Sequence, residues 1–335
     1  MLSKERFLNA VLKKKTDRPV LGSATSVISM EVMDKAGVFF PEAHLDADKM
    51  AALAAAGHTL LGFDNITPLF SVCHDTAACG VETNWGAKNM MPSCKAPIWK
   101  EPEDIVNSDA FLDSPFAQTP LKAIRLLRKE FKETVSITGK VFGPWTLAYH
   151  FFGLETFLME TVLSPDKVHK IIERLKIITL KFAKAQIEAG VDSITVADHA
   201  TRDLCSPDAY RDFIMPVHAE FAKAISVPIL LHICGDTSDR IKYINQTGIA
   251  CFHWDSKSGI DKITKGASSS LSLIGGTSNL LLLNGSEKEV FADIDDKMKH
   301  GINILGPECA VPLNAPLRNL ECFGKWREQH HGKTK

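Results

Sequence analysis

The chain has 335 residues, of which 45% are hydrophobic and 24% charged, and its formal net charge is −1. This composition is typical of a globular protein with a large core, and the charge gives no general attraction to nucleic acid or to anionic membranes. No apolar run approaches the roughly 18 residues that span a membrane. The eight cysteines are scattered along a chain without an export signal. We therefore expect a cytoplasmic protein whose special cysteines bind a metal or react, rather than form disulfides.

The N-terminal part of the sequence alternates short apolar strands with helices and is interrupted once. The interruption is the proline-containing stretch 70–118, which we predict to be an irregular insertion with short elements. The other predicted elements are, in order, an opening amphipathic helix, a strand at 18–22, a helix at 51–61, a strand at 62–66, a helix at 121–131 and a strand at 135–142.

The C-terminal part continues the alternation. Its predicted helices lie at 155–163, 165–189, 207–225, 240–247, 260–265, 287–300 and 316–330. Its predicted strands lie within 227–236 and at 191–197, 249–254, 270–274 and 302–305. Eight strands that alternate with helices indicate an α/β fold of the (β/α)8 or TIM-barrel type, which we assign to one domain over residues 1–335.

A histidine and a cysteine lie two positions apart in the apolar stretch 227–236. Side chains at i and i+2 of a strand point to the same face, so His232 and Cys234 are predicted to project together. Imidazole and thiolate are common zinc ligands. The alternative is a buried histidine bonded to a backbone carbonyl beside a structural cysteine.

Cys309 follows the strand at 302–305 and is the predicted third ligand. Active residues of a (β/α)8 barrel lie at the C-terminal ends of strands, where His232, Cys234, Asp255 and Cys309 all fall. Three protein ligands with an open fourth position describe a catalytic zinc site. Two thiolates and a neutral imidazole leave Zn²⁺ formally neutral, so it generates hydroxide poorly but can hold a thiolate that stays nucleophilic. The donor set favours alkylation of a thiol over hydrolysis.

Motifs through most of the chain resemble the uroporphyrinogen-decarboxylase superfamily, and within it the methylcobamide:coenzyme M methyltransferases. The His-x-Cys-Gly and Pro-x-Cys combination is specific for the subfamily, whereas Gly-Pro-Trp-Thr marks only the superfamily. The resemblance implies a uroporphyrinogen-decarboxylase-like barrel with zinc held by His232, Cys234 and Cys309. The matching segments are 4–8, 17–20, 143–148, 196–198, 206–210, 231–236 and 306–309.

The resemblance also implies a reaction. A methyl group on a methylated corrinoid, presented by a partner corrinoid protein, is attacked by the zinc-bound thiolate of coenzyme M. Homocysteine or a pterin is an alternative acceptor, because residues 310–316 depart from the usual methyltransferase motif. A non-catalytic partner of a corrinoid protein, with structural zinc, is another alternative.

A uroporphyrinogen-decarboxylase-like enzyme is the remaining alternative. Its polycarboxylate substrate needs cationic partners, and the loop 22–27 after the first strand, where that enzyme carries an arginine motif, contains no Arg or Lys. The family's aspartate after the second strand corresponds either to Asp64 or to Asn65.

Four further residues are candidates. Asp255 is predicted either to be a displaceable fourth zinc ligand or to orient one of the ligands. Asp198, after the fourth strand, either lines the pocket or caps the next segment. Gly276 and Thr277 offer backbone N–H groups where barrels often bind phosphate, so they are candidate binders of a sulfonate, with a simple turn as the alternative. Cys251 is predicted to be a core residue.

Overall fold

The fold, taken from a computed structural model, is described for residues 1–105 and 110–331. Residues 106–109 of the predicted insertion and 332–335 of the predicted domain lie outside the described residues. The strands in the described part are β1 (Val20–Leu21), β2 (Asn65–Ile66), β3 (Thr83–Asn84), β4 (Ser93–Cys94), β5 (Ser136–Phe142), β6 (Ser193–Ala197), β7 (Ile229–His232), β8 (Cys251–Trp254), β9 (Ser272–Gly275) and β10 (Ile304–Leu305).

Eight of these strands form one sheet in the order β1-β10-β9-β8-β7-β6-β5-β2, and all of its paired neighbours run parallel. Helices connect the strands, so the predicted (β/α)8 barrel is confirmed. The strands β3 and β4 form a separate antiparallel ribbon inside the predicted insertion. Parallel strands that alternate with helices bring all their C-terminal ends to one rim, where the site is built.

Helices surround this barrel, and the first of them closes the end opposite the C-terminal rim. Phe7, Ala10 and Val11 of the first helix pack with Val20, Leu230 and other inward residues of the strands in a buried cluster, which also contains Cys251 as predicted. The α-helices are α1 (Ser3–Val11), α2 (Met30–Ala36), α3 (Glu42–Leu45), α4 (Ala47–Thr59), α5 (Cys73–Ala78), α6 (Pro115–Phe131), α7 (Pro144–Phe152), α8 (Leu154–Leu163), α9 (Pro165–Ala189), α10 (Pro207–Ala209), α11 (Met215–Ala224), α12 (Ile241–Ile244), α13 (Ile260–Gly266), α14 (Asn279–Asn284), α15 (Glu287–Lys299) and α16 (Leu317–His331).

Several helical segments differ from the predictions, and α2, α3 and α14 were not predicted. The helix predicted at 121–131 begins six residues earlier, since Pro115 occupies its first turn, where a missing N–H costs nothing, and the Ser114 side chain caps it. Residues 144–152, for which no helix was predicted, form α7. The helix predicted at 207–225 is interrupted by a π-helical turn at Tyr210–Ile214. Among the helices of the described residues, none combines the length and apolar character that a membrane span requires.

The junction between β1 and β2 is closed mainly by an aspartate. The Asp64 N–H donates to the Leu21 carbonyl at 2.7 Å, and the Leu21 N–H donates to Asp64 Oδ2 at 3.2 Å. The fully buried Asp64 carboxylate also accepts hydrogen bonds from Arg6 at 3.0 Å and from Arg18 at 2.8 and 3.1 Å. Asn65 instead bonds the Ser23 carbonyl and Thr138 within the barrel. Asp64 therefore holds the N-terminal end of the barrel together and is no part of the rim.

Candidate metal centre and its cavity

A histidine and two cysteines converge at the C-terminal rim of the barrel. The Nε2 atom of His232 lies 2.9 Å from the sulfur of Cys234 and 3.3 Å from that of Cys309. The two sulfurs lie 3.2 Å apart, well beyond the roughly 2.05 Å of a disulfide. In the part of the chain that the structure describes, this is the one group of three His, Cys, Asp or Glu residues close enough to hold a metal ion.

The end of β7 places the first two of these side chains, although not through strand alternation. The strand stops at His232, so Cys234 lies beyond it. Gly235 then adopts a positive φ of +78°, and a Cβ atom there would lie 2.3 Å from the Thr201 hydroxyl. Glycine is required for this turn, which brings Cys234 next to His232.

The loop 306–309 that carries Cys309 is anchored at every residue before it. A Cβ at Gly306 would lie 1.9 Å from the Gly22 carbonyl oxygen, which requires glycine for this close approach. The Pro307 carbonyl accepts a hydrogen bond from His253 Nε2 at 2.8 Å. The carboxylate of Glu308 accepts from the backbone N–H groups of Ser256 at 3.0 Å and Asn279 at 2.7 Å. These contacts fix the sulfur of Cys309 against His232 and Cys234 at the end of β7, a pair that we call the clip.

Gly276 and Thr277 support this loop. Both were predicted as candidate binders of a sulfonate, but the N–H and the hydroxyl of Thr277 already donate hydrogen bonds within the chain. The Thr277 N–H donates to the Gly306 carbonyl at 3.2 Å, and its carbonyl accepts the Glu308 N–H at 2.9 Å. Its hydroxyl donates to Asp293 at 2.7 Å. Gly276 has φ +90° and packs so closely on the Trp254 ring that a Cβ would lie 2.1 Å from it. Neither residue lines the cavity above the cluster. This geometry agrees with the alternative of a turn.

His253 lies beside the cluster and was not singled out from the sequence. It pairs in register with His232 on the neighbouring strand, and the two rings are 4.5 Å apart between centroids. Burial lowers the pKa of His253 well below its usual value, so the ring is neutral. The available signal was its position inside a predicted strand, two residues before Asp255 at the end of that strand.

The two thiols of the cluster shift each other's pKa in opposite directions. Hydrogen bonding from Cys234 lowers the pKa of Cys309 well below its usual value, and the positive charge of a protonated His232 would act in the same direction. The same contact, together with burial, raises the pKa of Cys234 well above its usual value. Cys309 is therefore the sulfur that ionises first.

Asp255 lies directly behind the clip. Its Oδ2 atom accepts the Gly235 N–H at 2.8 Å, and its Oδ1 atom accepts the Lys257 N–H at 2.9 Å. Both oxygens are thus used within the chain, and the side chain is not one of the three that could hold the metal. The arrangement favours the alternative in which Asp255 orients a ligand, since Gly235 is the residue after Cys234.

Replacing Asp255 by asparagine should weaken zinc binding by roughly 10- to 100-fold, the usual cost of removing a group that orients a metal ligand. The amide has one acceptor atom where the carboxylate has two, so one backbone N–H near the clip loses its partner. Competition with a chromophoric chelator would measure the affinity. Asp236→Asn is the matched control, because its Oδ1 atom bonds Ser238 away from the clip. Unchanged zinc affinity with tighter thiol binding in Asp255→Asn would instead make Asp255 the displaceable fourth ligand.

A cavity of about 270 Å³ opens above the cluster. Asp198 lines it, as predicted, and also caps a segment. Its Oδ1 atom accepts the Thr146 N–H in the first turn of α7 at 2.8 Å, and its Oδ2 atom lies 3.1 Å from His218 Nε2. This carboxylate from a distant part of the chain caps α7, whose own N-cap residue supplies no side-chain cap. The other lining residues include Thr25, Phe70, Phe142, His150 and His199.

Lys140 also lines the cavity and was missed from the sequence. It lies in β5, and only 3% of its surface is exposed. Burial lowers its pKa to about 8, while Cys309 and Asp75 oppose that shift. The available signal was a lysine inside an otherwise uncharged strand at 135–142, where a buried charge needs a reason.

The donor atoms of the cluster fit a zinc ion. Zinc binds Cys sulfur and His nitrogen, and one neutral imidazole with two thiolates matches a known catalytic set of three protein ligands. All three donor atoms lie within 4.8 Å of one another, so one ion can contact them together. The remaining side faces the cavity, which leaves room for a substrate atom.

Comparison with known proteins agrees with this construction. A sequence profile described as uroporphyrinogen decarboxylase (URO-D) matches residues 2–330. The chain belongs to the URO-D family. Within the URO-D family, it is 30% identical to a methylated-thiol–coenzyme M methyltransferase of Methanosarcina mazei, over 96% of this chain and 88% of that protein. It is 28% identical to a methylcobamide:CoM methyltransferase of Methanosarcina barkeri, with 98% of each chain covered. This URO-D family member is a methyltransferase.

A solved structure of a methyltransferase from Methanosarcina mazei superimposes on this URO-D family protein with a TM-score of 0.93. The two chains are 28% identical, and the match covers 98% of this chain and 99% of the other. The uroporphyrinogen decarboxylase of Coxiella burnetii is more distant, at 22% identity over 90% of this chain and 87% of the decarboxylase. The family resemblance inferred from the motifs is therefore confirmed.

Proposed function

We propose that the protein transfers a methyl group from a methylated corrinoid, held by a partner corrinoid protein, to the thiol of coenzyme M, with zinc at His232, Cys234 and Cys309. The convergence of these three donors on the floor of an open cavity is the observation that carries the proposal. The relative named above as a methylcobamide:CoM methyltransferase supports the donor and the acceptor. All eight cysteines are free, which supports the proposal of a cytoplasmic protein.

The residues of the chain position the metal and the substrate thiol, and they exclude water from the reacting sulfur. His232, Cys234 and Cys309 would hold zinc, and Asp255 and Glu308 fix the two segments that carry the cysteines. When bound, zinc supplies the positive charge that keeps a substrate thiol deprotonated at neutral pH. The thiolate attacks the methyl carbon, a C–S bond forms, and the Co–C bond breaks with its electron pair left on cobalt. Phe70 and Phe142 line the cavity and limit the access of water to the reacting sulfur.

The direct test is spectroscopic. Zinc-loaded protein mixed with methylcobalamin and 2-mercaptoethanesulfonate, which is coenzyme M, should convert methylcobalamin to cob(I)alamin, and both species have distinct visible spectra. The methylated thiol should appear in equal amount. Metal-free protein should give no reaction above that of methylcobalamin and thiol alone. Failure of the zinc-loaded protein, under anaerobic conditions and with both substrates in excess, would overturn the proposal.

Binding of the thiol should also release nearly one proton per site at neutral pH. A free alkyl thiol has a pKa of about 8.5 or higher, so it is mostly protonated before binding. It should bind as the thiolate, because coordination deprotonates a thiol outright. Calorimetry of thiol binding in two buffers of different ionisation enthalpy gives the proton count. A count near zero, with zinc present and thiol bound, would rule out a thiolate mechanism.

The decarboxylase alternative has less support from the site. Among the described residues that line the cavity, Lys140 is the one lysine or arginine, and a polycarboxylate substrate needs several cationic partners. Asp64 is committed to Arg6 and Arg18 at the other end of the barrel, and the residue that faces the interior is the uncharged Asn65. Decarboxylation of such a substrate should also persist after chelation, in contrast to methyl transfer.

A further inference from the structure

The cavity above the metal cluster contains a lysine whose charge has no bonded counterion. Lys140 makes no side-chain hydrogen bond or ion pair with any residue in ranges 1–105 and 110–331. Its Nζ atom lies 5.3 Å from the centroid of the Phe142 ring. A buried ammonium without a carboxylate partner is costly, so such a group is usually paired with a bound ligand or a nearby charge.

The backbone of β5 holds this side chain toward the cavity. The Lys140 N–H donates to Gln186 Oε1 at 2.9 Å, and the Gln186 side chain donates to the Lys140 carbonyl at 2.8 Å. On the opposite face, Gly139 packs so tightly against Gln186 that a Cβ atom would lie 2.5 Å from it. The strand therefore cannot shift by one residue, and the ammonium stays inside the barrel.

Neither carboxyl group near Lys140 neutralises it, and the thiols of Cys309 and Cys234, which raise its pKa electrostatically, would have their charge balanced by a bound zinc ion. Asp75 influences it electrostatically, but burial raises the pKa of Asp75 to about 8, so this carboxyl is mostly protonated at neutral pH. Asp198 is the acidic residue among those described that line the cavity, and both of its oxygens are engaged by Thr146 and His218. With zinc bound, the charge of Lys140 would thus face the space where a substrate thiol extends away from the cluster.

We propose that Lys140 recognises an anionic group at the far end of the thiol substrate and so selects small acidic thiols over neutral or zwitterionic ones. This inference rests on the proposed function for the thiol end and extends it to the rest of the acceptor. A small thiol that carries a sulfonate or carboxylate is the chemical class that a cavity lined by both the cluster and Lys140 would accept. Homocysteine fits less well, because its α-ammonium would meet Lys140 and the cavity offers no free carboxylate to receive it.

The experiment compares two thiols that differ only in charge. Zinc-loaded wild type and Lys140→Met are titrated by calorimetry with 2-mercaptoethanesulfonate and with 2-mercaptoethanol. We expect the variant to bind the sulfonate roughly 10- to 100-fold more weakly and the neutral thiol within about threefold of wild type, since one hydrogen bond to a charged group is lost. Lys297→Met, which removes another buried lysine that is paired with Asp293 and does not line the cavity, should change neither affinity.

Wild type alone provides a second measurement. Ethanesulfonate, which has no thiol, should compete with 2-mercaptoethanesulfonate, whereas ethanol should not. Equal binding of both thiols by wild type, or an equal loss of both in Lys140→Met with zinc content retained, would overturn the inference. If methylcobalamin is not demethylated but the preference for the sulfonate depends on Lys140, the proposed function fails and the inference stands.

Discussion

Replacing Cys309 by alanine should leave a folded protein that binds far less than one zinc ion per chain and no longer methylates a thiol. The cysteine supplies one of three donors, so its loss should weaken zinc binding at least as much as the roughly 10- to 100-fold typical of losing a group that only orients a ligand. The fold should persist, since the helices and barrel bury an extensive apolar core that does not include this side chain. Metal analysis after dialysis and far-ultraviolet circular dichroism would measure both outcomes.

Cys79→Ala is the matched control for this experiment. Cys79 is also half-buried and free, but it lies at the end of α5 and takes no part in the cluster. The control should keep its zinc and its activity. Full zinc retention in Cys309→Ala would remove Cys309 from the site. Loss of secondary structure on metal removal, in wild type or variant, would instead favour a structural zinc.

Replacing Asp64 by alanine should lower the free energy of unfolding by about 3–5 kcal/mol, the usual cost of breaking a buried ion pair by removing one partner. The side chain is fully buried, and its loss leaves the guanidinium groups of Arg6 and Arg18 without this shared carboxylate. Two hydrogen bonds from Arg18, one from Arg6 and one from the Leu21 N–H disappear together. Urea denaturation of metal-free protein, followed by circular dichroism, would measure the change.

Asp48→Ala provides the comparison, because its ion pair with Lys122 is exposed. The side chains of these two residues retain 69% and 62% of their accessible surface, at a distance of 3.3 Å. Solvent screening limits such a pair to about 1 kcal/mol or less. A loss in Asp64→Ala no larger than that in Asp48→Ala would contradict the role of Asp64 in closing the barrel.

The barrel could be predicted from the sequence because the patterns that indicate its strands and helices are local. Each strand is a short apolar run bounded by glycine, proline or a polar residue, and eight such runs alternate with helices. The rim positions of His232, Cys234 and Cys309 follow from the same pattern, since parallel strands end on one side. The predicted strands were nevertheless too long, because only paired residues such as Ile304 and Leu305 belong to the sheet, and pairing depends on the neighbouring strand.

The parts that could not be predicted depend on contacts between distant residues. The helix α7 is capped by the carboxylate of Asp198, which is 52 residues away from Thr146 in the sequence. Thr277 looked like a free anion donor because nothing near it in sequence indicates that Gly306 accepts its N–H. The sequence predicts that Lys140 lies in a strand, but only the assembled barrel shows that its side chain lines the same cavity as the cluster.

The long chain separation between the metal donors determines when the site can form during folding. Cys234 and Cys309 are 75 residues apart in sequence. They follow β7 and β10, and β8 and β9 lie between these two strands in the sheet. Contacts with such a separation form late, because the entropy of closing a long loop must be offset first. If zinc is the metal, we expect it to bind a barrel that is already folded, unlike the metal of a zinc finger, which organises its own fold. We therefore expect that removal of the metal leaves the barrel folded and that the metal can be restored without refolding.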